Sequence, residues 1–163
     1  MFTAKVQRRT SRDVSDLALK LKGPSKVKVG FPDGKADGDI VMRAIWNEFG
    51  TRGSGQAFMT DRGGGFGGPI PERPFMRGAM RANRGKYQRA MSAGAREILQ
   101  SGSSLRSVLS RLGIIAQGDI QSEITSLQSP PNSPTTIRLK GSSSPLIDTG
   151  EMRQKVTWKV DDA

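Results

Sequence analysis

The sequence of 163 residues contains no cysteine and no histidine. Without cysteine there can be no disulfide framework and no thiolate nucleophile. Without histidine the chain lacks the side chain that supplies most acid–base catalysis near neutral pH and most transition-metal ligation. The two absences together argue against most enzyme classes and most zinc sites.

Long apolar runs are also absent, and aromatic residues make up only 6% of the chain. No run approaches the roughly 18 apolar residues of a membrane-spanning helix, and residues 1–21 lack the apolar centre of a secretory signal. We therefore expect no membrane partner. Hydrophobic residues make up 34%, beside 20 glycines and 9 prolines, a composition that predicts a modest core joined to long loops.

Positive charge is the strongest compositional signal. The chain has 26 Lys and Arg against 15 Asp and Glu, a net charge of +11. Such a balance favours contact with nucleic acid, an anionic membrane or acidic protein surfaces, without choosing among them.

Hydrophobic spacing predicts the secondary structure of the first half. A short helix is expected from Asp13, and residues 25–31 alternate as a half-buried strand closed by a Pro-Asp-Gly turn. A helix is expected over Asp39–Phe49, capped by Asp39 and stopped by Gly50. Its predicted apolar stripe is Ile40, Val41, Ala44, Ile45 and Phe49.

In the second half, one helix is predicted from Pro74 to about Gln100. Another is predicted over about Leu105–Leu127, where apolar residues follow the 3–4 spacing that buries one face. A short strand is predicted over Thr136–Leu139, and a terminal strand places Val156, Trp158 and Val160 on one face. The sequence thus predicts an α+β fold, with a small mainly antiparallel sheet packed against two or three helices, an extended N-terminal arm and long loops. We expect residues 1–12 to be a flexible arm and residues 13–163 to be a single domain, with a Gly-rich loop at 50–69 and a Pro/Ser-rich extended segment at 128–145.

The glycines of the Gly-rich loop have the spacing of a dinucleotide-binding loop, since Gly63, Gly65 and Gly68 fit G-x-G-x-x-G. The context contradicts that interpretation, because no strand precedes the motif and prolines follow it. Gln88 also stands about where a ribose-binding acid would fall. The acidic residues are dispersed, without a paired acid and base or a metal-binding cluster. We therefore expect that the protein is not an enzyme and that it has no catalytic residues, no cofactor and no metal.

Four arginines recur at helical spacing. At about 100° per residue, Arg73, Arg77, Arg81 and Arg84 fall within an arc of about 80° on the predicted second helix. This stripe is a candidate contact for a DNA backbone or an acidic protein partner. The alternative is an ordinary solvated face.

Three motifs carry a resemblance to a known family. They are AIWNEFGT (44–51), IPERPFMRGAM (70–80) and SPLIDTGEMRQKVTW (144–158). In this order they resemble the signatures of the neck or tail-completion family of long-tailed bacteriophages, which includes head–tail joining and virion-morphogenesis proteins. KVKVGFPDG resembles the family's first strand and NSPTTIRLKG its approach to the last motif, so the resemblance covers about Lys26 to Val160. The enlarged Gly-rich stretch departs from the family pattern.

The resemblance implies a non-enzymatic virion protein at the neck, where head meets tail, made in the host cytoplasm. Its implied partners are further copies of itself in a ring, six-fold or twelve-fold, together with head-side connector or adaptor proteins and the tail terminator or tail tube. Passing genomic DNA would be contacted non-specifically. The alternative class, suggested by the charge, is a basic DNA-binding or packaging accessory protein of phage origin.

The motif residues also have a local interpretation as junctions between elements. Phe49 closes an apolar stripe and Gly50 stops a helix, prolines stiffen the approach to the next helix, and Asp148 to Gly150 form a turn or cap before the last strand. Each junction is either a fold-determining turn or a contact in assembly. The candidates are Phe49, Gly50, Pro71, Pro74, Phe75, Leu146, Asp148, Thr149 and Gly150.

Overall fold

The structure, a computed structural model, describes residues 19, 21–53, 58–59, 65–66 and 68–161. In chain order its elements are β1 (Lys26–Gly30), α1 (Gly38–Phe49), β2 (Phe58–Met59), β3 (Gly65–Phe66), α2 (Phe75–Ala82), α3 (Arg84–Ser101), α4 (Leu105–Ser126), α5 (Pro134–Lys140), α6 (Glu151–Lys155) and β4 (Thr157–Asp161). The protein has the predicted α+β fold. The predicted arm at 1–12 and the start of the predicted helix at Asp13 lie outside the described residues.

The main sheet pairs the first strand with the last. β1 and β4 run antiparallel, with Val27 opposite Val160 and Val29 opposite Trp158. Because side chains alternate across a strand, these apolar residues share one face, and the sheet packs against α4. The predicted turn after β1 is also present, since the Lys35 amide donates to the Pro32 carbonyl at 3.1 Å.

Helix α4 occupies the centre of the fold. The Ser104 side chain caps it by accepting a hydrogen bond from the Ser107 amide at 3.2 Å. The helix packs against β1, β4, α2 and α3. Its buried positions follow the predicted 3–4 spacing, which is confirmed. They are Val108, Leu109, Gly113, Ala116, Ile120 and Ile124.

The core joins distant parts of the chain around the C-terminal half of α4. Apolar residues of α1 and α2 meet it from one side, and the segment leading into β4 meets it from the other. Leu146 is buried and Ile147 packs against the core, as expected for residues that anchor the incoming segment. The members of this core are Ile40, Ala44, Phe75, Ala79, Ile120, Ile124, Leu146, Met152 and Val156.

The prediction of one helix from Pro74 to Gln100 is wrong, because α2 and α3 are separate. They meet at Asn83, whose backbone lies at φ −100° and ψ 8°. Its side-chain amide donates to the Ala79 carbonyl at 3.0 Å, a local bond that competes with helix continuation. Gly85 follows two residues later and weakens the helix further. The two helices therefore present different faces.

The strand predicted over Thr136–Leu139 is wrong, because these residues belong to α5. The Ser133 hydroxyl accepts from the Thr136 amide at 3.2 Å, Pro134 occupies the first turn, and Gly141 ends the helix at φ 68°. These are strong helix-start and helix-stop signals. The segment 128–145 is therefore not extended throughout.

Three smaller differences concern element ends and loops. Asp37, not Asp39, holds the cap position of α1, without a side-chain cap bond. The predicted turn at Asp148–Gly150 leads first into the short helix α6 and only then into β4. Within the Gly-rich stretch, β2 and β3 pair antiparallel, which the glycine content did not predict.

Helices α3 and α4 approach closely at Gly94. A Cβ atom there would lie 2.3 Å from Cγ1 of Val108, a β-branched side chain with little freedom to move. We expect Gly94→Ala to lower the free energy of unfolding by about 1–3 kcal/mol, as overpacked core substitutions do. Urea denaturation would measure the change.

The matched control is Gly85→Ala in the same helix, where the added Cβ meets only the Arg89 side chain at an ordinary 3.5 Å. It should be neutral or stabilise the protein by up to about 1 kcal/mol. Equal unfolding midpoints for the two variants would contradict the close approach of α3 to α4.

Candidate assembly site

The first two sequence motifs meet in space at the C-terminal end of α1. The Arg73 amide donates to the Asn47 carbonyl at 2.6 Å, and the Thr51 amide donates to the Ile70 carbonyl at 2.8 Å. Gly50 has φ 70°, and a Cβ atom there would lie 2.9 Å from the Ile70 carbonyl oxygen. Both the left-handed backbone and the close approach require glycine. The predicted junction role of Gly50 is therefore structural.

A buried carboxylate joins α1 to α2. Glu48 is only 1% exposed. Its Oε2 accepts from the Met76 amide at 2.9 Å, and its Oε1 accepts from the Arg77 amide at 3.0 Å and from Arg77 Nε at 3.0 Å. The first amides of a helix have no partner within the helix, so an anion placed there is stabilised. Glu48 thus caps α2 from another helix.

Arg77 holds the outer side of this junction. Its Nη2 donates to the Glu48 carbonyl at 2.7 Å and also pairs with Glu72. Its guanidinium lies 4.9 Å from the centroid of the Phe49 ring. The hydrogen bonds to Glu48 and Glu72 raise the pKa of Arg77 above its usual range. The predicted stripe residue therefore has intramolecular partners.

Arg73 ties the segment before α5 to the first two motifs. It is 4% exposed, and its side chain donates to the Pro130 carbonyl at 2.8 Å and the Pro131 carbonyl at 3.1 Å. It also donates to the Oδ1 atoms of Asn47 and Asn132, each at 3.1 Å. Within the described residues these acceptors are all neutral, and burial lowers the pKa of Arg73. Arg73 is thus a buried cross-link between segments distant in sequence.

Beside Arg73 lies an open groove of about 720 Å³, here called the junction groove. Its walls are α1, the Gly68–Arg73 segment, and the chain between Pro131 and Met152. Five of the predicted junction residues line it, while Phe49, Gly50, Pro74 and Phe75 do not. The five are Pro71, Leu146, Asp148, Thr149 and Gly150.

The outward face of α1 is apolar. Met42, Ile45, Trp46 and Phe49 are 44%, 40%, 42% and 61% exposed, whereas Ile40, Ala44 and Glu48 face the core. At about 100° per residue the four exposed side chains fall within an arc of about 100°. We call them the α1 stripe. Of the predicted apolar stripe, Ile40 and Ala44 therefore face the core, whereas Ile45 and Phe49 lie on the outward face.

The predicted arginine stripe does not form one face. Arg73 precedes α2 and is buried, Arg77 is bound to Glu48 and Glu72, and the break at Asn83 separates Arg84 from the rest. Arg81 and Arg84 are exposed and form no ion pair with another described residue. A contact role remains a prediction for these two alone.

Other carboxylates hold the helices together. Asp119 of α4 accepts from Lys86 at 2.6 Å and from the Tyr87 hydroxyl at 2.9 Å, and Glu97 pairs with Arg111. Burial and the bond to Asp119 raise the pKa of Tyr87. Among the residues that the structure describes, no group of three or more acidic side chains is placed to hold a metal ion.

Comparisons with protein-family models, with curated proteins and with solved structures found no match. In the described part of the chain no helix has the length and apolar character needed to cross a bilayer.

Sequence reasoning missed Glu48, Asn47 and the buried role of Arg73. The available signal was the helical spacing of Glu48 with Ile40 and Ala44, which places it on the core side of α1. A buried acid at that position implies a positive partner or a set of backbone donors, since an unpaired buried charge is costly.

The Glu48 cap can be tested by substitution. Glu48→Gln keeps the shape but removes the charge and turns an NH₂ group toward backbone donors. We expect the free energy of unfolding to fall by about 2–4 kcal/mol, because a buried charged acceptor is lost. Chemical denaturation would measure it.

Glu72→Gln is the matched control, because Glu72 pairs with the same arginine while its side chain is 52% exposed. Its cost should stay below about 1 kcal/mol. A similar cost for both variants would show that Glu48 acts only as a surface ion pair.

Proposed function

We propose that this protein is a structural component of a tailed-phage virion, forming part of the neck or tail-completion ring that joins the head connector to the tail. The proposal combines the ordered motif resemblance with one observation, the α1 stripe. A helix that is apolar on its outward face needs a partner, and exposed Met, Trp and Phe side chains are typical of protein interfaces.

The junctions described above support a stable presentation of that stripe. Glu48 and Gly50 fix the end of α1 to the start of α2, and Arg73 fixes both to the segment before α5. An assembly surface carried on a rigid element loses little conformational entropy on binding. Glu48, Glu97 and Asp119 are engaged in structural bonds, which favours an assembly role over a catalytic one.

The role can be tested on particles made with and without an intact copy of the gene. We expect the protein in purified virions, with immunolabelling at the neck. Its loss should leave separate heads and tails in negative-stain micrographs. Its absence from virions, together with normal head–tail joining after deletion, would overturn the proposal.

The α1 stripe is tested by Ile45→Ser combined with Trp46→Ser. Because both side chains are partly exposed, stability should change by less than about 1 kcal/mol. Incorporation into particles should fall more than about tenfold, since central aromatic residues of an interface contribute about 2 kcal/mol or more.

The matched control is Ile114→Ser on α4, where the side chain is 57% exposed and lies away from the stripe. Quantitative blotting of purified particles should show normal incorporation of this variant. If the wild type, the double variant and Ile114→Ser were all incorporated equally, the α1 stripe would have no part in the proposed assembly.

A second candidate is a basic DNA-binding or packaging accessory protein. The observation that favours it is a group of exposed arginines along α2 and α3 that form no ion pair with other described residues. Free cations of this kind suit non-specific phosphate contacts. They are Arg81, Arg84, Arg89 and Arg96.

Titrating a duplex DNA at several salt concentrations tests this candidate. If phosphates are contacted, affinity should fall steeply with salt, and Arg81→Gln with Arg84→Gln should reduce the log–log salt slope by about two. Lys28→Gln, which removes a lysine paired with Asp161, is the control and should leave the slope nearly unchanged. No binding at low salt would exclude the candidate.

A further inference from the structure

Two cations of the junction groove form no ion pair with a described residue, although the carboxylates of Asp148 and Glu151 also line the groove. Arg73 lines its base and is bonded only to neutral acceptors. Lys140, at the end of α5, lines the same groove, and its Nζ donates to the Ser144 carbonyl at 3.0 Å. Neither forms an ion pair with a described residue. By contrast, Arg43 at another wall pairs with Glu151 at 3.3 Å.

This arrangement is electrostatically incomplete. Burial is the main cause that lowers the pKa of Lys140, the charge of Arg73 lowers it further, and Asp148 offsets the effect only in part. Arg73 is buried and Lys140 is half-buried, so their like charges repel each other more than they would in water, and an anion bound near both would be favoured. The neutral carbonyls around Arg73 orient its guanidinium but supply no negative charge.

The rest of the lining is mixed, with apolar residues on two sides beside polar side chains such as Asn132 and Thr136. Pro69, Ile70 and Pro71 form one side, and Pro145 and Leu146 form the other. Prolines lack an amide donor and present flat apolar surfaces, which suit an extended chain passing over them. A duplex phosphate backbone would instead favour exposed, mobile cations, whereas Arg73 is recessed and fixed.

We propose that the junction groove binds an extended segment of a partner protein, placing an Asp or Glu carboxylate against Arg73 and Lys140 and an apolar residue against Ile70 and Leu146. This goes beyond the proposed virion role and does not depend on it. The groove is lined by three separate segments held by Arg73, so the site exists only in the folded chain.

The test is selection of a random octapeptide library on the immobilised full-length protein, with the recovered peptides sequenced by mass spectrometry. We expect acidic residues at one position to be enriched about tenfold over Asn and Gln, with apolar neighbours, as a charge-assisted contact provides. Addition of a recovered peptide should shift the Arg73 Nε–H resonance in NMR spectra.

Lys140→Gln should reduce the enrichment of acidic residues over Asn and Gln from about tenfold to about twofold or less. Lys26→Gln removes the same charge from the exposed face of β1 and should leave the enrichment intact, which separates a local site from the general attraction of a basic protein. Unfolding curves check that both variants are folded. The inference is overturned if the recovered peptides show no preference for acidic residues, or if the two variants recover the same peptides. It is also overturned if duplex DNA produces the same shift of the Arg73 resonance.

Discussion

The fold depends on one buried carboxylate. Glu48 sits at the end of α1 with its two oxygens directed at the first amides of α2, so a single side chain links the end of one helix to the start of the next. Its charge is balanced by Arg77 and by the positive end of α2. Helices α1 and α2 both contribute core residues that pack with those of α4. Loss of the Glu48 carboxylate would therefore disturb the packing of both helices. Asn47 and Gly50 make the neighbouring backbone contacts. Residues 47–50 therefore make most of the contacts that join α1 to the chain leading into α2.

A second constraint ties the first two motifs to the segment that precedes α5. Arg73 reaches across to Asn47 and to the carbonyls of Pro130 and Pro131, which brings the chain before α5 against α1. The motifs are thus chiefly fold-building elements, and the surfaces that they create lie around them. The α1 stripe faces outward on one side of this junction, and the junction groove opens on another. Two distinct surfaces beside one junction are consistent with the proposed position between unlike neighbours.

Regular patterns in the sequence were sufficient for the main elements. The 3–4 spacing of α4 and the alternation in β1 and β4 predicted both their type and their buried faces, because each packs on one side only. The failures have local causes. The Pro and Ser content around α5 predicts an extended chain, although Ser133 and Pro134 also form a helix cap and a first turn. Hydrophobicity alone places Phe49 on the apolar stripe of α1, yet the core side of α1 is completed by Glu48. The spacing of Glu48 indicates that side, but its partners depend on where α2 begins, which the sequence does not show.

The pairing of Thr51 with Ile70 has a consequence for the evolution of the chain. The Thr51 amide donates to the Ile70 carbonyl and the Ile70 amide donates to the Thr51 hydroxyl, so the two ends of the intervening stretch are clamped side by side. Closing a longer loop between fixed ends costs only about 0.6 kcal/mol for each doubling of its length. The segment between the clamp residues can therefore gain or lose residues while Glu48, Arg73 and the helices keep their positions. It is a site where new sequence, natural or engineered, can be accepted without redesign of the domain.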